Sequence, residues 1–206
     1  MDKVGKERCP MKHLLITGFD PFGGEIVNPS WEAVSRLPDA VGNYRLTKLQ
    51  IPTVFAVAAE TVLAAAAQDA PDVILCVGQA GGRDAVTPER IAINMASAKS
   101  PDNAGNQPVE APILPGAPDG MFSTVPVAAM AEAIVSAGLP GKISNTAGTF
   151  VCNDTLFRLA HHYAGTSVRV GFIHVPWLPE QAKEGAPSMA LDDIVAALTA
   201  AIGVLG

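Results

Sequence analysis

Cys152 closes a run of small and polar residues, Ser144-Asn145-Thr146-Ala147-Gly148-Thr149-Phe150-Val151-Cys152-Asn153-Asp154. Leu156, Leu159 and Ala160 then recur at helical spacing through His162. That spacing puts the thiol at or just before a helix N-terminus, with Asn153 or Asp154 available as a cap. The positive end of a helix favours thiolate, and its unpaired backbone N–H groups suit a developing oxyanion. The competing reading is a small buried hydrophobe, the usual fate of a free cysteine. A thiol that attacks an acyl group needs an imidazole to take its proton and return it to the leaving amine. His174 ends an apolar run, Gly171-Phe172-Ile173-His174-Val175, beside Pro176, which halts a strand. A hydrogen-bonded core histidine is the plain alternative. Glu89, in Val86-Thr87-Pro88-Glu89-Arg90-Ile91, is the candidate to orient that imidazole. A salt bridge with Arg90, or simple exposure, is the stronger reading on sequence grounds alone. His13 opens a strand at the opposite end, and His161 and His162 fall on a solvated helix face. Cys76 sits mid-strand as inert packing, and Cys9 belongs to a terminal segment.

These residues need elements to bring them together. His13 to Thr17 is a short apolar strand ending at Gly18, followed by the turn-rich loop Gly18-Phe19-Asp20-Pro21-Phe22-Gly23-Gly24. Asn28-Pro29-Ser30-Trp31-Glu32 starts a helix with a cap, a proline at the first position and an acid. Tyr44 to Ile51 is a second strand, Thr53 to Gln68 a helix, and Val73 to Val77 a strand covered on both faces. Gly78-Gln79-Ala80-Gly81-Gly82-Arg83 follows as a loop, then a short strand over residues 90–94. Residues 100–124 are rich in proline and glycine and form a long functional loop or hairpin excursion. Residues 126–137 are helical, Lys142 to Ser144 a short strand, and Val168 to Val175 the last strand. Ser188 caps a final helix over residues 190–204. Strands alternating with helices specify one α/β domain, an α/β/α sandwich around a mostly parallel, twisted mixed sheet. Sites in such sheets form beyond the carboxyl ends of strands. Four loops converge there: after Thr17, after Val77, before Cys152, and at His174.

Composition bounds the function. The chain has 206 residues, enough for one sizeable core, with 49% hydrophobic and 17% charged residues. A formal net charge of -6 without a basic run disfavours nucleic acid and anionic membrane as partners. Three cysteines without CxxC spacing argue against a disulfide framework or a zinc site and fit a reducing cytoplasm. Residues 1–10 are charged, lack a signal-peptide core and are expected as a mobile tail preceding a domain over 11–206. No apolar run reaches the length of a membrane span. The glycine loops at Gly23-Gly24 and 78–82 match neither GxGxxG nor GxxxxGK[ST], so a nucleotide site lacks support. His161, His162 and Asp154 make no recognisable metal set. No cofactor is expected.

Six segments carry a resemblance in order along nearly the whole chain: LITGFDPFGGEIVNPSWEAV at 15–34, CVGQAGGR at 76–83, TPERIAIN at 87–94, PDNAGNQPV at 101–109, NTAGTFVCN at 145–153 and GFIHVPWLPEQ at 171–181. Together they resemble the pyrrolidone carboxyl peptidases, also called pyroglutamyl-peptidase I. The resemblance implies a cytosolic, metal-free cysteine peptidase, commonly tetrameric, that removes N-terminal pyroglutamyl residues from peptides through an acyl-enzyme. By matching motif it implies Cys152 as nucleophile, His174 as base and acid, and Glu89 as the group orienting the imidazole. Pyroglutamate is a neutral lactam, so an apolar slot with a few amide-reading groups suits it. Phe19, Phe22, Phe150 and Val151 are expected to line that slot, and Gln79 to hydrogen-bond the lactam. Ordinary core packing is the alternative for the phenylalanines. Lys99 stands where the family often has an arginine near the oxyanion; it keeps the charge but loses the planar fork. The segment Asp119-Gly120-Met121, together with Asp154 and Phe157, also departs from the family's common choices. A silent module that binds pyroglutamyl termini without cleaving them is the alternative function.

Overall fold

The apolar runs expected as buried strands become the centre of a mixed sheet, in a computed structural model that describes residues 11–183 and 185–206. The expected tail, residues 1–10 with Cys9, lies outside the described residues. In chain order the elements are β1 (Lys12–Phe19), α1 (Pro29–Arg36), β2 (Ala40–Val41), β3 (Tyr44–Ile51), α2 (Val57–Asp69), β4 (Val73–Gln79), β5 (Thr87–Pro88), β6 (Ile91–Ile93), β7 (Gly120–Phe122), α3 (Val127–Ser136), α4 (Val151–His162), β8 (Arg169–Val175) and α5 (Leu191–Gly203). The main sheet has the order β2-β3-β1-β4-β8-β5. The contacts of β1 with β3 and β4, and of β4 with β8, are parallel; β2 and β5 add antiparallel edges.

Alternation along each strand divides the core into two layers. Leu14, Ile16, Val73, Leu75, Val77, Ile173 and Val175 face α1, α3 and α5. Leu15, Ile74, Cys76, Val170 and Phe172 face α2 and α4. Both sheet faces are covered, so the chain is a three-layer α/β/α sandwich. Each fully buried large apolar side chain stabilises by roughly 1.5–3 kcal/mol, which makes the central strands a rigid base for the loops above them.

Local signals decide several element ends. Asn28 caps α1: its Oδ1 accepts from the Ser30 amide at 3.1 Å, ahead of Pro29 in the first turn. The helix expected from Thr53 begins only at Val57, because Thr53 is drawn into the first loop: its amide donates to Asp20 Oδ1 at 2.7 Å. Residues 142–144 form no strand. They contribute a single isolated bridge, Ser144 with Glu89, next to that of Gly141 with Val86, beside the short edge strand β5. Ser188 does not cap the last helix, whose N-cap is Ala190 without a side-chain bond; Ser188 instead bridges to Trp177. The 100–124 excursion ends in β7, which pairs antiparallel with β6 as a small separate hairpin over α4.

Candidate active site

β4 and β8 run parallel and in register, so Gly78 lies beside His174. On the other side of β8, antiparallel β5 places Thr87 against His174 and Pro88 against Ile173. Glu89 follows directly, its amide bonded to the Phe172 carbonyl at 2.8 Å. This register aims Glu89 at the imidazole: His174 Nδ1 lies 2.7 Å from Glu89 Oε1. Glu89 is 0% and His174 4% exposed. The sequence alternative for Glu89 fails. Its cationic neighbour is Arg83, whose Nη1 donates to Oε1 at 2.6 Å, whereas Arg90 donates to Asn145 Oδ1.

Period-2 alternation turns His174, like Phe172, toward the α4 face of the sheet. Cys152 is the second residue of α4 and half-buried. Its sulfur rests over Gly78: a Cβ there would come within 2.9 Å of Cys152 Sγ and 2.8 Å of Phe172 Cζ. Only glycine allows the thiol to settle against the strand beside His174. The α4 N-cap is Phe150, which makes no side-chain capping bond. The expected caps are used elsewhere. Asn153 bonds the backbone of Ile93 and Met95, and Asp154 accepts from the Ala56 amide and from Arg158. The first-turn N–H groups of α4 therefore lack a side-chain cap, next to the thiol.

Cys152, His174, Phe19, Phe22, Gln79 and Phe150 line one cavity of ≈ 270 Å³. It is the meeting point of the four loops expected beyond the strand ends. Phe22 and Phe150 pack ring to ring at 6.0 Å, and Phe55 backs Phe150 edge-on at 5.2 Å. Two expectations are corrected. Val151 is fully buried in the α2/α4 core and does not line the cavity, because the first helical turn points it inward. Lys99 is exposed and outside the cavity lining; the cation at the cavity is Arg83. Arg83 stands in the CVGQAGGR segment without any role expected from sequence. Its Nη1 also donates to Thr87 Oγ1, and its Nη2 to the Thr146 carbonyl at 3.1 Å. It thus ties the carboxylate to the loop that carries the nucleophile. Asn28, Thr53 and the stretch Thr146-Ala147-Gly148 are further lining residues for which the sequence suggests no contact with substrate.

Burial pushes the Cys152 thiol up to about 12, and the negative charge of Glu89 adds to this. One pKa unit is worth about 1.4 kcal/mol, so the helix end, at ~0.3–1 kcal/mol, lowers the value by less than one. The resting sulfur is a thiol, and thiolate forms by proton transfer to a base. Burial also lowers His174, outweighing the raising effect of Glu89. Burial alone would raise Glu89, but the His174 hydrogen bond and charge, with Ser144 and Arg83, bring it below the usual carboxylate value. The arrangement at neutral pH is carboxylate, neutral imidazole and thiol. Among the described residues, no set of three or more His, Cys, Asp and Glu side chains is placed to hold a metal ion. No helix among them is long and apolar enough to cross a membrane.

Comparison with known proteins agrees with this geometry. The pyroglutamyl peptidase family model matches residues 12–206. The pyrrolidone-carboxylate peptidase of Levilactobacillus brevis is 54% identical over 193 residues, covering 92% of this chain and 95% of the relative. That of Escherichia fergusonii is 50% identical over 196 residues, covering 93% and 92%. Among solved structures, pyroglutamyl peptidase I of Bacillus amyloliquefaciens superposes with a TM-score of 0.91 at 46% identity, over 94% of this chain and 96% of that one. The pyrrolidone carboxyl peptidase of Thermococcus litoralis does so with a TM-score of 0.90 at 33% identity, over 95% and 93%.

Proposed function

The chain belongs to the pyroglutamyl peptidase family, and from that premise we propose that Cys152, His174 and Glu89 carry out its cysteine-type hydrolysis of pyroglutamyl peptides. The observation that supports this assignment is the buried 2.7 Å contact between Glu89 Oε1 and His174 Nδ1, beside a cavity that Cys152 also lines. With Nδ1 held by the carboxylate, Nε2 is the nitrogen left for proton transfer.

In the proposed sequence, His174 takes the Cys152 proton as Sγ bonds to the carbonyl carbon of the pyroglutamyl residue. The carbonyl oxygen becomes an oxyanion, held by first-turn N–H groups of α4. His174 then gives the proton to the leaving amine, the C–N bond breaks, and a thioester remains. Water, deprotonated by His174, attacks the thioester; the C–S bond breaks, His174 returns the proton to Cys152 Sγ, and free pyroglutamate leaves. Glu89 keeps the imidazole aligned and balances the positive charge it carries between these steps. Phe19, Phe22 and Phe150 form the apolar walls for the lactam ring, which carries no ammonium and needs no acidic anchor.

We place this activity in a single domain over residues 11–206, in the cytoplasm, and in a homo-oligomer, tetrameric by family resemblance. Phe122, 62% exposed on the β6–β7 hairpin near exposed Ile93, suits a subunit contact. Nucleic acid and membrane are not expected partners of a chain with net charge -6. The decisive test is Cys152→Ser. It should abolish release of a chromogenic amine from a pyroglutamyl amide while the protein unfolds at the wild-type temperature. Turnover at the wild-type rate would end the assignment.

A further inference from the structure

Gln79 lines the cavity at the end of β4, and its side-chain oxygen is already engaged. Gln181, in the turn after β8, donates from Nε2 to Gln79 Oε1 at 3.3 Å. The same Nε2 donates to the Val27 carbonyl at 3.3 Å, and Gln181 Oε1 accepts from the Leu178 amide at 3.2 Å. Which end of an amide is oxygen is set by its partners. A backbone N–H can only donate and a backbone carbonyl can only accept. Leu178 and Val27 therefore fix Gln181 in one orientation, with its NH2 toward Gln79. That NH2 in turn fixes Gln79 with its oxygen turned back to Gln181. Gln79 Nε2 has no protein partner among the described residues and is not sealed from the cavity. The cavity is thus offered an amide donor in a mostly aromatic slot.

We infer that Gln181 is a specificity-determining positioning residue: it locks Gln79 as a donor to the ring carbonyl of the pyroglutamyl lactam. The inference rests on the proposed function and names the atom of the substrate that is read. A ring carbonyl accepts this hydrogen bond, whereas the methylene at the same place in a prolyl residue cannot, and would leave the donor unpaired. The chain Val27 and Leu178 to Gln181 to Gln79 also links the loop before α1 and the turn after β8 to the substrate slot.

The test is a cycle of Gln181→Glu and Gln79→Leu, read by KM and kcat on a pyroglutamyl amide. Competitive inhibition by the bare lactam 2-pyrrolidone is measured alongside. In Gln181→Glu the new carboxylate can hold the Leu178 amide but offers no donor, so Gln79 turns its NH2 toward that carboxylate and its oxygen toward the cavity. KM and the 2-pyrrolidone inhibition constant should then both rise by ~10–100-fold, with kcat far less affected. Gln79→Leu should give a similar rise, and the double variant no further one. Wild-type KM in Gln181→Glu would overturn the inference, as would a loss that persists undiminished in the Gln79→Leu background. Gln181→Met, which removes the amide but keeps the volume, reads the same cycle if the carboxylate lowers the melting temperature. Failure of the underlying function is distinct, because then the wild-type protein would not cleave the amide at all.

Discussion

At the scale of single residues, burial sets the protonation states of Cys152 and His174, whereas hydrogen bonds and charges from His174, Ser144 and Arg83 overcome burial at Glu89. His174 must be neutral to act as base, and burial holds its pKa below 6.5. The acid limb of kcat/KM should therefore lie below pH 6.5, where the imidazole protonates. Arg83 contributes to this lowering through its positive charge. Arg83→Met should consequently raise the imidazole pKa and move the acid limb to higher pH; a pH–rate profile with an unmoved limb would rule this out. Glu89→Gln should lower kcat by ~10²–10⁴-fold and change KM little, because imidazole alignment is needed in the transition state. A loss confined to KM would contradict that role. Cys152 and His174 were legible because their chemistry is written in their own residue types and in the strand and helix patterns around them. Glu89 became legible only through its motif, since a carboxylate beside Arg90 says nothing about a histidine 85 positions away. Arg83 and Gln181 were not legible as positioning residues. Their roles consist of contacts with Glu89, Thr146 and Gln79, which only the folded chain creates.

At the scale of elements, loops without secondary structure complete the cavity walls between the strand ends and α4. Asp102 organises the 100–124 excursion. It accepts from the amides of Ala104 and Asn106 at 2.9 and 2.8 Å, from Asn106 Nδ2 at 2.9 Å, and from the Phe55 amide at 2.9 Å. Asn103 then donates to Asp20 Oδ1 and to the Pro21 carbonyl, in the loop that carries Phe19 and Phe22. Burial alone would raise the Asp102 pKa, but these bonds from Asn106, Phe55 and Ala104 bring it below 3.8. A carboxylate with a lowered folded-state pKa contributes stability that is complete above its unfolded value and is lost as pH falls through the folded one. Asp102→Asn should remove that acid dependence below about pH 4. It should also cost ~1–3 kcal/mol at neutral pH, since an amide cannot accept at both ends. Unfolding curves at pH 3 and pH 7 with the same difference between variant and wild type would refute this. The excursion was recognisable from its prolines and glycines, but not the strand β7 that closes it. Three residues, Gly120–Phe122, are too few to show periodicity. The two-residue edges β2 and β5 escaped for the same reason. The misplaced cap at Ser188 reflects a competition that sequence cannot weigh, between a helix end and a bridge to Trp177.

At the scale of the whole molecule, the parallel sheet separates function from anchoring. Cys152, His174 and the lactam slot lie beyond the carboxyl ends of β1, β4 and β8, as strand direction requires. The opposite ends of the same strands are tied to the C-terminal residues. Arg169, which opens β8, donates to the Leu205 carbonyl, to the Gly206 carbonyl at 3.2 Å and to the Tyr44 hydroxyl at 2.5 Å. Tyr44, which opens β3, donates to the Gly206 carbonyl at 3.0 Å, and Lys12, which opens β1, reaches the same oxygen at 2.5 Å. Arg169→Met should break three of these bonds and cost about 2 kcal/mol, which lowers Tm by roughly 4–8 °C for a chain of this size. Arg169 and His174 lie five residue steps apart along β8, about 16 Å at the usual rise. Sites that far apart with no shared partner act independently. The variant should therefore keep wild-type kcat/KM on a pyroglutamyl amide at temperatures well below its Tm. Paired melting and rate measurements decide the matter: a proportional loss of activity at about 25 °C, the usual reference temperature, would mean that the two ends of the sheet are coupled, and that the rigid base assigned to the central strands transmits strain to the site.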